Sequence, residues 1–168
     1  MEKPGIAISR LAGALGAEIS GVNLAEAGYD NIYPDIHQAF LDHAVLVVRK
    51  QDLKPDQLVT FSKKFGTLES HVLEGFNLQE TPEVLMISNV KEDGKPIGAI
   101  NAGQYWHSDL SYMQQPTQAS LLHAQKVPSY GGDTMFTSMT QAYNELSDPM
   151  KSFLSGLTAV HDYTNAYE

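Results

Sequence analysis

The sequence predicts a mixed α/β, mainly β fold: a double-stranded β-helix, or jelly-roll, core with flanking helices, incomplete within these 168 residues. Three observations predict it. Apolar residues alternate in several short runs broken by Gly and Pro, helical periodicity is confined to a few segments, and a turn-rich hairpin follows a strand with closely spaced His and Asp. The architecture needs about eight core strands in two sheets, and about five candidates follow the opening segment; half a jelly roll would leave open edges and an uncovered apolar face. We therefore expect a single domain over residues 1–168 whose C-terminal part is missing.

Along the chain, residues 5–24 are Gly-rich and alternating, which predicts short strands. Asn31 to Ala44 carries Ile32, Ile36, Phe40 and Leu41 at helical spacing, and it ends before the apolar run Ala44-Val45-Leu46-Val47-Val48, a buried-strand pattern. Pro55 opens a second helix, in the first turn where its missing N–H costs nothing, and Gly66 ends it. Glu83 to Ser88 reads as a strand and Asn89 to Gln104 as a polar, Gly-containing loop. Ala119 to Gln125 reads as a further strand. Pro128 to Ser138, with paired Gly131 and Gly132, reads as a turn followed by a strand in which Thr134 and Phe136 share a face. Ser138 to Leu146 and Pro149 to Leu157 form two short helices joined across Ser147-Asp148, where Asp before Pro favours a helix start.

Composition narrows the function classes. No apolar stretch approaches a membrane span, and Met1-Glu2-Lys3-Pro4 lacks the basic and then apolar layout of an export signal. The absence of Cys excludes disulfides, thiolate metal ligands and a Cys nucleophile, and the cytoplasm is the default location. A formal net charge of −9 disfavours nucleic-acid binding and requires any anionic substrate to be met by a local cationic site.

The chemistry is concentrated in Tyr105-Trp106-His107-Ser108-Asp109. On an extended strand, residues two apart project from one face, so the His107 imidazole and Asp109 carboxylate can converge on a metal ion while Ser108 points away. Trp106, on the opposite face, is expected to pack in the core. A second His would complete the 2-His-1-carboxylate face that holds non-heme Fe(II) with open positions. The bare pattern is weak, since six His in a chain of this Asp content give about a third of a match by chance. A hydrogen-bonded surface pair is the plain alternative. Asn101 and Tyr105 precede the metal strand and are candidate pocket residues, with a solvent-facing loop position as the competing reading.

With its downstream company the segment resembles the TauD/TfdA family of Fe(II)- and 2-oxoglutarate-dependent dioxygenases. The matching segments are Trp106-His107-Ser108-Asp109, Pro128 through Ser138 with Gly131-Gly132-Asp133-Thr134, and Leu154 through Tyr163. Upstream, Leu15 through Leu24 and Phe65-Gly66-Thr67-Leu68 are similar to the family's entry segments, in the same order. The resemblance implies that His107 and Asp109 are metal ligands, that Thr134 hydrogen-bonds a carboxylate of 2-oxoglutarate, and that His71 contacts an anionic substrate group. It implies Fe(II), 2-oxoglutarate and O2 as cofactor and co-substrates, and hydroxylation of a small, anionic organic substrate, sulfonate-like or aryloxyalkanoate-like, with release of succinate and CO2. The family's distal His ligand and 2-oxoglutarate-binding Arg have no counterpart here: Arg10 and Arg49 both precede the metal motif. His161, in a segment whose family His is not a ligand, and His123 are expected to be structural or surface residues.

No other residue is assigned a catalytic role, and the 168-residue chain by itself is expected not to turn over. The alternative is a catalytically inactive, truncated metal-binding or partner-binding remnant of that fold. A zinc hydrolase would need a third ligand and a placed base, and no such constellation is visible. The partner expected is a small molecule, with neither nucleic acid nor membrane; homo-oligomerisation is left open.

Overall fold

The computed structural model describes residues 5–26, 28–69, 75–100 and 102–162. The chain divides into two units, the first comprising residues 1–52 and 124–159 and the second residues 53–123 and 160–168.

The first unit is built on a three-stranded sheet. Strands β1 (Ala7–Arg10) and β2 (Ala17–Ser20) pair antiparallel with Ile8 opposite Ile19, and β2 pairs parallel with β3 (Leu46–Val48), Ala17 opposite Leu46. Parallel pairing needs a crossover, and helix α1 (Tyr33–His43), entered through a 3-10 turn at Tyr29–Asn31, supplies it. Among the described residues of this unit, Ala17, Ile19, Leu24, Ile36 and Ala39 are the buried apolar ones. The predicted helix over 31–44 is present, but its inner face differs in detail. Ala39 is buried while Leu41 is 59% exposed, because positions 32, 36 and 39 lie on one side at spacings of four and three and position 41 lies off it. Gln51 ties the end of β3 to the β2 exit, accepting from the Leu24 amide at 2.7 Å and donating to the Val22 carbonyl at 3.1 Å.

Two short helices complete this unit. In α3 (Met139–Asn144) the Ser138 hydroxyl accepts from the Gln141 amide at 3.1 Å, and in α4 (Asp148–Leu154) the Ser147 hydroxyl accepts from the Met150 amide at 3.4 Å. Each Ser satisfies an amide that the first helical turn leaves open; the two helices expected over 138–146 and 149–157 are present and shorter.

In the second unit, α2 (Pro55–Ser62) begins at Pro55 as expected, and the Gln57 side chain accepts from the Lys54 amide at 2.8 Å. Val59 and Phe61 are buried in it. The stretch expected as a strand at 83–88 forms two isolated bridges, Asn77 with Leu85 and Ile87 with Ala99. The expected loop at 89–104 contains a hairpin of β4 (Lys91–Glu92) and β5 (Lys95–Pro96) around Asp93 and Gly94, both at positive φ. Positive φ at both central residues is the requirement of a type I′ turn, and Asp-Gly is its favoured pair.

The largest departure from expectation lies in 105–137. Among the described residues this stretch forms no ladder, so neither the metal-bearing strand nor the strand over 119–125 nor the hairpin after Gly131-Gly132 is present, and no jelly-roll barrel closes. A strand exists only when its amides and carbonyls find a neighbour, and pattern alone cannot supply one. Trp106, expected in the core, is 65% exposed for the same reason: no sheet face covers it. The mixed α/β class is observed. Among the described residues no helix is long and apolar enough to cross a membrane.

Candidate metal centre

Asp109 opens a turn, with the Ser111 amide bonded to the Ser108 carbonyl at 3.4 Å and the Met113 amide to the Leu110 carbonyl at 3.0 Å. Leu110 stands at φ 49°, a left-handed conformation that an L side chain adopts at a cost of about 1–2 kcal/mol. Immediately before this turn, and without a paired strand, His107 Nε2 lies 3.1 Å from Asp109 Oδ1.

Hydrogen bonding fixes the chemistry of the imidazole. His107 Nδ1 lies 2.7 Å from the Tyr105 carbonyl oxygen, which can only accept, so Nδ1 carries the hydrogen. Nε2 is then the nitrogen whose lone pair is open to a cation. It faces a carboxylate oxygen, and two acceptors 3.1 Å apart need a proton or a cation to reconcile them. A nitrogen and an oxygen held 3.1 Å apart can share a proton as an ion pair or be held by one cation. A ligand His whose other nitrogen donates to a backbone carbonyl is the usual outer arrangement of such sites. The residues present therefore fit a divalent cation.

The carboxylate is held as well. The Ser120 hydroxyl donates to Asp109 Oδ2, and the Thr117 hydroxyl donates to the Asp109 carbonyl at 3.1 Å. Gly103, at φ 76°, lies against the imidazole: a Cβ there would stand 3.3 Å from His107 Cε1. The Tyr105 ring lies 5.3 Å from the imidazole, centroid to centroid, tilted by 55°.

The imidazole also forms part of a cavity of about 260 Å³ lined by Tyr105, His107, Ser108, Ser111 and His161, among others. His161 Nδ1 lies 3.0 Å from the Ser111 hydroxyl, so the 160–162 segment meets the turn that carries the carboxylate. The side chains of His107 and Asp109 are 38% and 48% exposed, open enough for a hydrated ion to reach.

Of the candidate residues read from the sequence, the structure brings together Tyr105, His107 and Asp109. Thr134 belongs to the first unit, where it is exposed on backbone without strand pairing. His71 and Asn101 lie outside the described residues. His123 is half-buried, and among the described residues no third His, Asp or Glu joins the dyad in a metal-holding group. Three residues escape sequence reasoning. Ser120 and Thr117 act through contacts eleven and eight positions away that leave no periodic trace; Gly103 is legible in principle, as a Gly four residues before a candidate ligand.

Comparison with known proteins places these observations. The family model described as Taurine catabolism dioxygenase TauD, TfdA family matches residues 7–168. An (S)-phenoxypropionate/alpha-ketoglutarate-dioxygenase of Delftia acidovorans is 33% identical over 158 residues, covering 88% of this chain and 51% of the relative. The crystal structure of a taurine dioxygenase from Burkholderia xenovorans superposes with a TM-score of 0.77 at 34% identity, covering 95% of this chain and 55% of that one. The structure of AAD-2 in complex with Mn(II) and N-oxalylglycine superposes with a TM-score of 0.71 at 28% identity, over 96% of this chain and 62% of that one. The chain spans about half the length of the curated relatives it matches.

Proposed function

The chain belongs to the TauD/TfdA dioxygenase family, and from that premise we propose that the protein is an Fe(II)- and 2-oxoglutarate-dependent dioxygenase. Its substrate is a small, anionic organic molecule of the sulfonate or aryloxyalkanoate kind, and the co-products are succinate and CO2. The observation that carries the reading is the 3.1 Å approach of His107 Nε2 to Asp109 Oδ1 with Nδ1 already committed to the Tyr105 carbonyl. The Mn(II) and N-oxalylglycine in complex with one structural relative, and the substrate classes in the names of the others, support the metal, the oxo-acid co-substrate and the substrate class. The finer fold proposed is the jelly-roll core of that family.

Bound Fe(II), with 2-oxoglutarate and O2, would supply the oxidising power that inserts oxygen into a substrate C–H bond. This chain's part is to hold and to orient. His107 and Asp109 would hold the ion through one nitrogen and one oxygen, with a further protein ligand and exchangeable groups completing its surroundings. Thr134 is assigned a hydrogen bond to a 2-oxoglutarate carboxylate, and His71, Asn101 and Tyr105 the substrate side. A neutral hydroxyl such as Thr134 binds a carboxylate far less tightly than a guanidinium fork, and neither arginine of this sequence follows the dyad. The polypeptide of these 168 residues alone is therefore expected to bind a divalent cation weakly and to release no succinate.

The test is made on the native gene product, its intact mass measured alongside. Succinate release from 2-oxoglutarate, stimulated by taurine or (S)-phenoxypropionate and abolished by His107→Ala, is the expected result. A native product that binds Mn(II) through His107 yet releases no succinate would establish the second reading, a metal-binding form without catalysis. Metal affinity indifferent to His107→Ala would remove the centre altogether.

A further inference from the structure

We infer that Ser120 is a positioning residue for the Asp109 carboxylate, selecting Oδ1 as the single oxygen presented to the metal; the inference rests on the metal reading above. A free carboxylate can offer a cation either one oxygen or both. In this site the choice matters, because each corner taken by a second carboxylate oxygen is a corner lost to an exchangeable group.

The two oxygens of Asp109 have different partners. Oδ2 accepts the Ser120 hydroxyl, while Oδ1 faces His107 Nε2 at 3.1 Å. A hydroxyl donating to an ionised carboxylate makes a charge-assisted bond, stronger than its neutral counterpart, and it occupies a lone pair that chelation would need. The Thr117 hydroxyl fixes the main chain beneath the same side chain through the Asp109 carbonyl at 3.1 Å, so carboxylate and backbone are held from one segment, 117–120. The turn at 108–113 sends the chain back toward the dyad. Ser120 touches neither metal nor substrate and acts only through Asp109.

Partners that orient a metal ligand typically change metal affinity by about 10–100-fold when removed; because Ser120 is exposed and water can replace part of its donation, the lower end is expected here, about 10-fold. The experiment uses the native gene product and Mn(II), with free Mn(II) read by electron paramagnetic resonance and the number of metal-bound waters by proton relaxation. Ser120→Ala is expected to weaken binding about 10-fold and to lower the bound-water number, as the released carboxylate chelates with both oxygens. Ser120→Thr keeps the hydroxyl and is expected to restore both values. Should Ser120→Ala lose the far-ultraviolet circular dichroism of the parent, Ser120→Cys, with its weak S–H donor, is read in its place. Unchanged affinity and hydration in Ser120→Ala, with His107→Ala still abolishing binding, overturns this inference and leaves the metal reading standing. Mn(II) binding that survives His107→Ala overturns the metal reading and this inference with it.

Discussion

Gly98 is buried where the chain folds back on residues 86–88, and a methyl group has no room there. A Cβ would stand 2.8 Å from both the Met86 carbonyl oxygen and the Ser88 amide nitrogen, and 2.9 Å from Met86 Cγ. The methionine side chain can swing away, but the two backbone atoms cannot. They belong to the bridge itself, in which the Ala99 amide bonds the Met86 carbonyl at 2.8 Å and the Ser88 amide bonds the Ala99 carbonyl at 3.2 Å. Moving the segments apart by about 0.6 Å, to ordinary contact, stretches the second bond well past hydrogen-bond range and weakens the first. Two such bonds contribute about 2 kcal/mol together, and the loss of unfolded-state freedom in a Gly→Ala change offsets about 0.5 kcal/mol of that. Gly98→Ala should therefore destabilise by about 1.5 kcal/mol, within the usual range for an overpacked core site, and lower Tm by roughly 3–6 °C in a chain of 168 residues. Urea unfolding followed by far-ultraviolet circular dichroism measures it, since the exposed Trp106 would report little. Gly156→Ala, where nothing lies within 4 Å and φ is ordinary, serves as the matched control and should stay within about 0.5 kcal/mol of the parent. A Gly98→Ala protein as stable as that control would refute the close-packed bridge.

Three further outcomes follow from the same geometry. Gly103→Ala adds a left-handed alanine and a methyl against His107, and should cost about 1 kcal/mol in thermal unfolding and weaken Mn(II) binding; unchanged Mn(II) affinity would show that the imidazole is not held from that side. Asp109→Asn keeps the shape and the Ser120 contact but removes the negative charge, so Mn(II) binding by isothermal titration should fall below detection while the circular dichroism stays that of the parent. Gly94→Ala disturbs the Asp93-Gly94 turn by about 1 kcal/mol, and amide exchange at Ile97, which bonds the Val90 carbonyl at 3.2 Å, should quicken while exchange in α1 does not.

What the sequence discloses depends on how far apart the interacting residues lie. Helix α1 is legible because its cause is local: four- and three-residue spacings place Ile32, Ile36 and Ala39 on one side whatever surrounds them. Helices α3 and α4 are legible as elements for the same reason, while their Ser caps come from the structure. The β4–β5 hairpin is harder to see, since Asp93-Gly94 is a strong turn signal hidden in a stretch whose polarity reads as loop. The stretch at 105–137 is the opposite case. Its alternation of apolar and polar residues is compatible with strands, but a ladder is a property of two segments, and its sequence specifies only one of them.

The dyad shows the same division inside a single site. His-x-Asp reads as two neighbours on one strand face, and the pair does converge; yet it does so on a segment without strand pairing, just ahead of a turn with Leu110 in the left-handed region. The residue types are therefore legible while the backbone that unites them is not. What turns a chance pair into a ligand pair is the set of groups around it: the Tyr105 carbonyl that decides which imidazole nitrogen is free, and the Ser120 hydroxyl that decides which carboxylate oxygen is. A surface His–Asp contact needs neither. A metal site needs both, because a cation is bound by lone pairs that are already aimed, and aiming them beforehand is what the two outer contacts do.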